Sequence, residues 1–159
     1  MTTSIIDGRV ESAELRRARG GLSVFRTIVF QPDSGPTRTI RNAVVKQNVA
    51  DELTPGARGR FYLYTAFDQK GVHGVRTPDG RATYGFATNN QKLFLISAII
   101  ALLWMVLRFA VDGDVPVLGI LLFILGIVGF IFMGRGDREA RTQFDGDPDY
   151  RAPSSAPPA

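Results

Sequence analysis

Two long apolar runs separated by a short polar turn constrain this chain more than any other feature. They cover Leu93–Val111 and Val115–Met133, nineteen residues each, and a helix of about that length crosses the ~30 Å hydrocarbon core of a bilayer. A buried hairpin in a soluble protein is the alternative, but it would leave no polar face for water. The sequence therefore predicts a membrane protein with a two-helix transmembrane hairpin at residues 92–111 and 115–133, joined by a turn at residues 112–114.

The basic residues near the hairpin predict its orientation. Arg76, Arg81 and Lys92 precede the first apolar run, and three arginines follow the second, namely Arg135, Arg138 and Arg141, whereas the turn is acidic. Basic residues in short flanking segments stay on the cytoplasmic side of a membrane. We therefore expect an integral membrane protein with both termini in the cytoplasm, which in a bacterium would place it in the inner membrane.

Small residues indicate where the two helices of the hairpin would touch. Ser97 and Ala101 are four residues apart in the first run, and Gly126 and Gly129 are three apart in the second. Small side chains allow close approach of helix backbones in lipid. Matching their depths from the ends of the runs predicts Ser97 against Gly129 and Ala101 against Gly126, and an oligomer contact is the alternative use of the same residues.

One charged residue, Arg108, interrupts the first apolar run. It lies one helical turn before Val111, so its side chain can extend to the membrane interface. Asp112 is four residues further on, and Asp114 follows in the turn. The sequence predicts an interfacial charge cluster of Arg108, Asp112 and Asp114, while a specific anion or proton-coupled site at Arg108 is the alternative.

The first ninety residues read as a small all-β domain. Segments rich in β-branched and aromatic residues alternate with turn signals such as "QPDSGP" and "TPDG". The predicted strands are Ser4–Arg16, with one slip in its alternation that suggests a bulge, then Gly21–Gln31, Thr37–Val45, Gly59–Phe67, Gly71–Thr77 and Arg81–Ala87.

A short helical signal, "NVADELTPG", interrupts the strands, and Asn48 is its expected N-cap. Three strands, a short helix and two or three further strands is an order that resembles the OB-fold, a small five-stranded barrel. An SH3-like barrel fits nearly as well. The expected fold class is α+β overall, with an OB-like or SH3-like barrel in residues 1–90 followed by the hairpin.

The barrel region is basic, with thirteen Lys and Arg against eight Asp and Glu in residues 1–91. Aromatic residues on a basic OB-fold can stack on single-stranded nucleic acid. Strand alternation, however, assigns Phe61, Leu63 and Phe67 to the core and only Tyr62 and Tyr64 to the other face. Attraction to anionic lipid headgroups accounts for the charge more simply, so membrane lipid is an expected partner and nucleic acid an unlikely one.

The chain offers few groups for catalysis. It has no cysteine and a single histidine, His73, which we expect to be hydrogen-bonded or exposed rather than catalytic. No phosphate-binding loop, dinucleotide fingerprint or zinc-protease motif is present. The sequence predicts a protein that is not an enzyme, with no catalytic residues, metal site or cofactor, and no small-molecule substrate is evident.

The end of the chain, residues 134–159, is rich in charge, proline and serine, a composition that predicts a disordered cytoplasmic tail. The favoured function is that of a membrane-held interaction or assembly module whose barrel meets a protein partner or a second copy of the chain. A small accessory subunit of a transport or channel assembly is the first alternative, and a membrane-tethered nucleic-acid binder is the second.

Overall fold

The computed structural model describes residues 2–66, 69–87 and 89–147. Six strands and a one-turn helix come first, and two long helices follow. Their bounds are β1 Thr2–Arg19, β2 Leu22–Pro32, β3 Arg38–Lys46, α1 Gln47–Ala50, β4 Arg58–Ala66, β5 Gln69–Arg76, β6 Ala82–Tyr84, α2 Asn89–Asp112 and α3 Val117–Asp145.

Strands β1 to β5 form a closed barrel. β1 pairs antiparallel with β2 and, through its first half, with β4; β2 pairs with β3, and β4 pairs with β5. A parallel contact between β3 and β5, at Ala43 and Lys70, closes the ring. The short strand β6 adds to β5 outside the ring.

The length of β1 explains how one strand serves two neighbours. Three register irregularities lie between Val10 and Arg17, and bulges of this kind bend a strand and increase its twist. The sequence indicated one such slip. The predicted first strand is confirmed with wider bounds, whereas the predicted strand Arg81–Ala87 is only three residues long.

The barrel interior is filled by alternating side chains, as the strand pattern predicted. Phe61 and Leu63 belong to this core, while Phe67 lies outside the described residues. The rings of Phe30 and Phe61 lie 5.0 Å apart between centroids. Burial of such side chains provides most of the favourable free energy of folding.

The predicted cap of the short helix is wrong by two positions. α1 begins at Gln47 with Lys46 at the N-cap position and no side-chain cap. Asn48 lies inside the helix, where its amide donates a hydrogen bond of 2.8 Å to the carbonyl of Tyr84. Val49 is fully buried in the barrel core, so hydrophobic contact rather than capping holds this turn in position.

The described chain divides into two compact units. One contains the barrel residues up to Ala87 together with the residues from Ala140 onward, and the other runs from the start of α2 to Glu139. Both α2 and α3 are long enough and apolar enough to span a membrane. Large apolar side chains cover their outward faces; Leu103, Val111 and Val117 are 63%, 73% and 71% exposed.

The prediction that residues 134–159 form a disordered tail is wrong for its first part. α3 continues without a break to Asp145, and residues 148–159 lie outside the described residues. Ala140 and Phe144 are one helical turn apart and both are buried, so they share a face that packs within the barrel unit. The composition of residues 134–159 did not indicate this face, because its apolar residues are few and lie among charged residues.

Candidate interaction site on the outer face of the barrel

The outward face of β4 is aromatic and covered. Tyr62 and Tyr64 alternate with the core residues Phe61 and Leu63, so they point away from the barrel interior. Nevertheless they are only 0% and 2% exposed. Other parts of the same unit therefore cover this side of the sheet, and its aromatic rings are not open to solvent.

Phe144 covers Tyr62 on this face. Its ring lies 4.9 Å from that of Tyr62, in an edge-on arrangement, and 5.4 Å from that of Tyr84. The guanidinium of Arg76 lies 4.4 Å from the centre of the Phe144 ring, and its Nη2 donates a hydrogen bond of 2.9 Å to the Phe144 carbonyl. Such a cation over a ring contributes about 0.5–2 kcal/mol. Gly74 of β5 leaves the space that the ring fills.

A carboxylate three residues further along completes the contact. Nη1 of Arg60 donates to both oxygens of Asp147, at 2.8 and 2.7 Å, and the hydroxyl of Tyr62 donates to Oδ2 at 3.0 Å. The same guanidinium holds Asp7 through Nε and Nη2, at 2.6 and 2.8 Å. Arg60 is thus shared between two carboxylates, one on β1 and one two residues after α3, as its planar fork allows.

The pKa values of the groups in this network are shifted in the directions that their hydrogen bonds and burial require. The hydrogen bond to Asp7 has the largest effect on the pKa of Arg60 and raises it; burial lowers it, and the bond to Asp147 raises it again, so the net pKa lies above its ordinary value. Burial raises the pKa of Asp147, but the hydrogen bonds from Arg60 and Tyr62 outweigh it, so its net pKa is lowered. Burial and the bond to Asp147 raise the pKa of Tyr62 to about 12. At neutral pH the carboxylate is ionised and the phenol keeps its proton.

His73 lies beneath the same aromatic group. It is fully buried, and neither ring nitrogen has a hydrogen-bond partner among the described residues. Burial lowers its pKa to about 4, an effect that the nearby backbone of Ala140 partly offsets. The ring is therefore buried rather than exposed, and the polar group that acts on it is the backbone of Ala140. Four aromatic rings lie 6.0–6.4 Å from the imidazole, those of Tyr62, Tyr64, Tyr84 and Phe86.

These contacts hold the end of α3 on the outer face of the barrel. An aromatic ring enters a cradle over glycine, a guanidinium holds the backbone carbonyl beside it, and a second guanidinium holds a carboxylate. Phe144, Asp147 and Gly74 were not among the residues predicted from the sequence. The signal that could have indicated them is the four-residue spacing of Ala140 and Phe144 beyond the second apolar run.

The hairpin contact includes Ala101, Gly126 and Gly129 as predicted, but the residues nearest the two glycines differ from the predicted pairs. A Cβ added at Gly126 would lie 2.8 Å from the Cβ of Ala98, and one added at Gly129 would strike the ring of Phe94. Ala101 is buried, as expected for a contact residue, but Ser97 is exposed and lines a shallow groove.

The reason for the difference is helical geometry. The stripe of α2 that faces α3 runs through Phe94, Ala98 and Ala101. Gly119 of α3 meets Met105 on the same stripe. Ser97 precedes Ala98 by one residue and is therefore turned about 100° around the helix. Matching the depths of the small residues located the contact to within one helical turn, but it selected Ser97 rather than the adjacent Ala98.

The structure brings two of the three predicted interfacial charges together. Nη1 of Arg108 lies 2.5 Å from Oδ2 of Asp112, an i,i+4 pair with side chains 53% and 37% exposed. Asp114 is exposed and forms no ion pair with the residues that the structure describes. The pair is open to its surroundings, as an arginine that reaches an interface would be.

Two further observations bear on the kind of site this is. Within residues 2–66, 69–87 and 89–147, no three histidine, cysteine, aspartate or glutamate side chains could hold a metal ion together. Comparison of the chain with protein families, with curated proteins and with solved structures gave no match.

Proposed function

We propose that this chain is an integral membrane protein that holds a cytoplasmic β-barrel at the membrane as a non-enzymatic interaction module. The observation that carries the proposal is the outer face of β4 and β5, which holds a helical segment through Phe144 and Asp147. A surface that recognises one segment of this chemistry can recognise another that presents an aromatic residue and a carboxylate.

The exposed apolar faces of α2 and α3 support the membrane part of the proposal. Side chains such as Leu107, which is 62% exposed, would form a contiguous apolar patch far larger than a water-soluble surface carries. With lipid around the helices these side chains need no other cover. The flanking arginines favour a cytoplasmic position for the barrel and for the chain's end.

We further propose that the barrel is of the OB type rather than SH3-like. Three features support it: the ring order β1-β2-β3-β5-β4, the parallel contact of β3 with β5, and the helix between β3 and β4. A nucleic-acid function gains little from this fold, because Tyr62 and Tyr64, the aromatic residues outside the core of β4, are buried and cannot stack on bases.

Co-purification from detergent tests the interaction module against the alternative of an accessory transport subunit. Three forms of the full chain are compared: the parent, a form with the apolar parts of α2 and α3 replaced by an unrelated transmembrane hairpin, and Phe144→Ala. If the barrel carries the interaction, the hairpin replacement keeps the partner and Phe144→Ala, which vacates the face, captures more of it. A partner lost only on replacing the hairpin would contradict the proposal and favour the transport subunit.

A further inference from the structure

A second feature of the barrel lies beside the aromatic face described above and shares Tyr64 with it. Where β3 begins and β4 ends, a polar pocket of about 520 Å³ opens on the barrel surface. This is within the range of roughly 300–1,000 Å³ typical of small-molecule sites. Six polar side chains line it, those of Ser4, Arg38, Thr39, Arg41, Thr65 and Lys70, and its floor includes Leu63 and Tyr64.

The pocket follows from the way in which the barrel closes. β3 pairs with β2 along its whole length, but it meets β5 only where Ala43 pairs with Lys70. Asn42, immediately before this contact, has a left-handed φ of 53°, which asparagine tolerates better than most residues. The segment from Arg38 to Arg41 therefore runs beside a gap in the ring, and that gap is the pocket.

Among the residues that the structure describes, the pocket gathers positive charge without an acidic partner. Arg38, Arg41 and Lys70 line it, no described acidic residue does, and none of the three cations forms an ion pair with the residues that the structure describes. Elsewhere on the barrel, arginines do have carboxylate partners: Arg58 binds Asp33, and Arg60 binds Asp7. Three cations around one concavity repel one another unless an anion joins them.

We infer that this pocket binds the phosphate group of a small ligand. Guanidinium groups hold phosphate oxygens with paired hydrogen bonds, and an ammonium adds a point charge. The hydroxyls of Ser4, Thr39 and Thr65 supply further donors around the same space. The phosphate can belong to a soluble compound or to a lipid headgroup, since the recognising chemistry is the same.

Titration calorimetry with pyrophosphate on the full chain in a nonionic detergent tests the pocket. Because Arg38, Arg41 and Lys70 are exposed, their replacement by glutamine leaves the core intact. Each of Arg38→Gln, Arg41→Gln and Lys70→Gln should weaken pyrophosphate binding at least about tenfold, the effect of losing one charge-assisted contact. The matched control is Arg19→Gln, which removes the same charge at the far end of β1.

Arg19→Gln should change the affinity by less than about twofold. Equal losses at Arg19 and Arg41, or no saturable binding of pyrophosphate to the parent, would overturn the inference. An oligothymidine that bound more tightly than pyrophosphate and depended equally on Arg19 would also overturn it, in favour of a diffuse nucleic-acid surface.

Nanodiscs distinguish the two sources of the phosphate. The parent chain is compared in discs of phosphatidylcholine with and without phosphatidic acid. If phosphatidic acid abolishes pyrophosphate binding, the pocket takes a lipid phosphate; if binding is unchanged, it takes a soluble one. Either result supports a phosphate site, provided that the three glutamine variants show their losses.

Discussion

The ring of Phe144 occupies the space that a side chain at position 74 would need. A Cβ added at Gly74 would lie 2.5 Å from Cδ2 of Phe144 and 2.7 Å from its Cε2. Gly74 in β5 thus leaves the space that is filled by the ring of a residue seventy positions later in the chain. This relationship links the last turn of α3 to the barrel and gives the outer face a defined occupant.

Phe144→Ala should destabilise the barrel by about 3 kcal/mol, because it removes a buried aromatic side chain and leaves a cavity. Urea unfolding of the full chain in detergent, followed by the near-ultraviolet signal of the tyrosines, measures the loss. Thr142→Ala, on the exposed side of the same turn, is the control and should cost well under 1 kcal/mol. Equal losses for the two would mean that Phe144 is not seated on the face.

Gly74→Ala should also destabilise the barrel, because the added methyl group meets the Phe144 ring. Combined with Phe144→Ala, however, it should cost less than the sum of the two changes, since the methyl group then enters vacated space. Strict additivity in this double-mutant cycle would be inconsistent with the cradle.

Stability of the barrel should depend on pH through His73. Its pKa in the folded chain, about 4, is below the unfolded value of about 6.5, so the unfolded chain binds the extra proton first. The contribution of the neutral His73 ring to the free energy of unfolding is therefore fully present above about pH 6.5 and is lost as the pH falls towards 4. The total loss is about 3 kcal/mol at about 1.4 kcal/mol for each unit of pKa shift.

Urea unfolding at pH 7, 5.5 and 4.5 measures this dependence. His73→Leu should flatten it across that window, because leucine fills a similar volume without titrating. Asp147, whose pKa is lowered, contributes stability that is lost only at lower pH, below its ordinary value. A dependence between pH 6.5 and 4.5 that survived in His73→Leu would assign it to another group.

The hairpin contact can be tested by moving one bulky substitution by one residue. Ala98→Leu should lower the melting temperature in detergent strongly, because the Cβ of Ala98 already lies within 2.8 Å of the Cβ position of Gly126. Ser97→Leu should be nearly neutral, since Ser97 is exposed. The opposite ranking would restore the contact predicted from matched depths.

The ion pair of Arg108 with Asp112 should contribute little to stability. Exposed i,i+4 pairs are worth about 0.3–0.5 kcal/mol, and a lysine can also lift its charge to an interface. Arg108→Lys should therefore insert and melt like the parent, as followed by membrane fractionation and thermal scans. A lysine form that failed to insert while Arg108→Leu inserted normally would point instead to a specific use of the guanidinium.

The strands and the apolar helices were predictable because their signals are local. Alternation in "GRFYLYTAF" separates Phe61 and Leu63 from Tyr62 and Tyr64. A run of nineteen residues with at most one charge admits few structures. The bounds shifted by one to three residues because hydrogen-bond pairing, rather than composition, ends a strand.

What the sequence did not reveal depends on contacts between distant residues. Nothing near Gly74 indicates that it faces Phe144, and nothing near Arg38 indicates that Lys70 lies across a gap from it. The choice of Ser97 over Ala98 failed for a related reason, since spacing within one helix does not determine which stripe its neighbour selects. The closure of the barrel between β3 and β5 and the packing of Phe144 on its outer face are tertiary features that no local sequence pattern indicates.

Cysteine labelling on intact cells tests the proposed membrane topology most directly, and the parent chain has no cysteine to interfere. The variants are Ser34→Cys in the exposed β2–β3 loop, Asp114→Cys in the turn of the hairpin and Ser154→Cys near the chain's end; Asp114 is preferred to Gly113, whose φ is 71°. A membrane-impermeant maleimide should label only Asp114→Cys in intact cells, and the other two only after lysis. Labelling of Ser34→Cys in intact cells, or of Asp114→Cys only after lysis, would contradict the account of a cytoplasmic barrel held by a transmembrane hairpin.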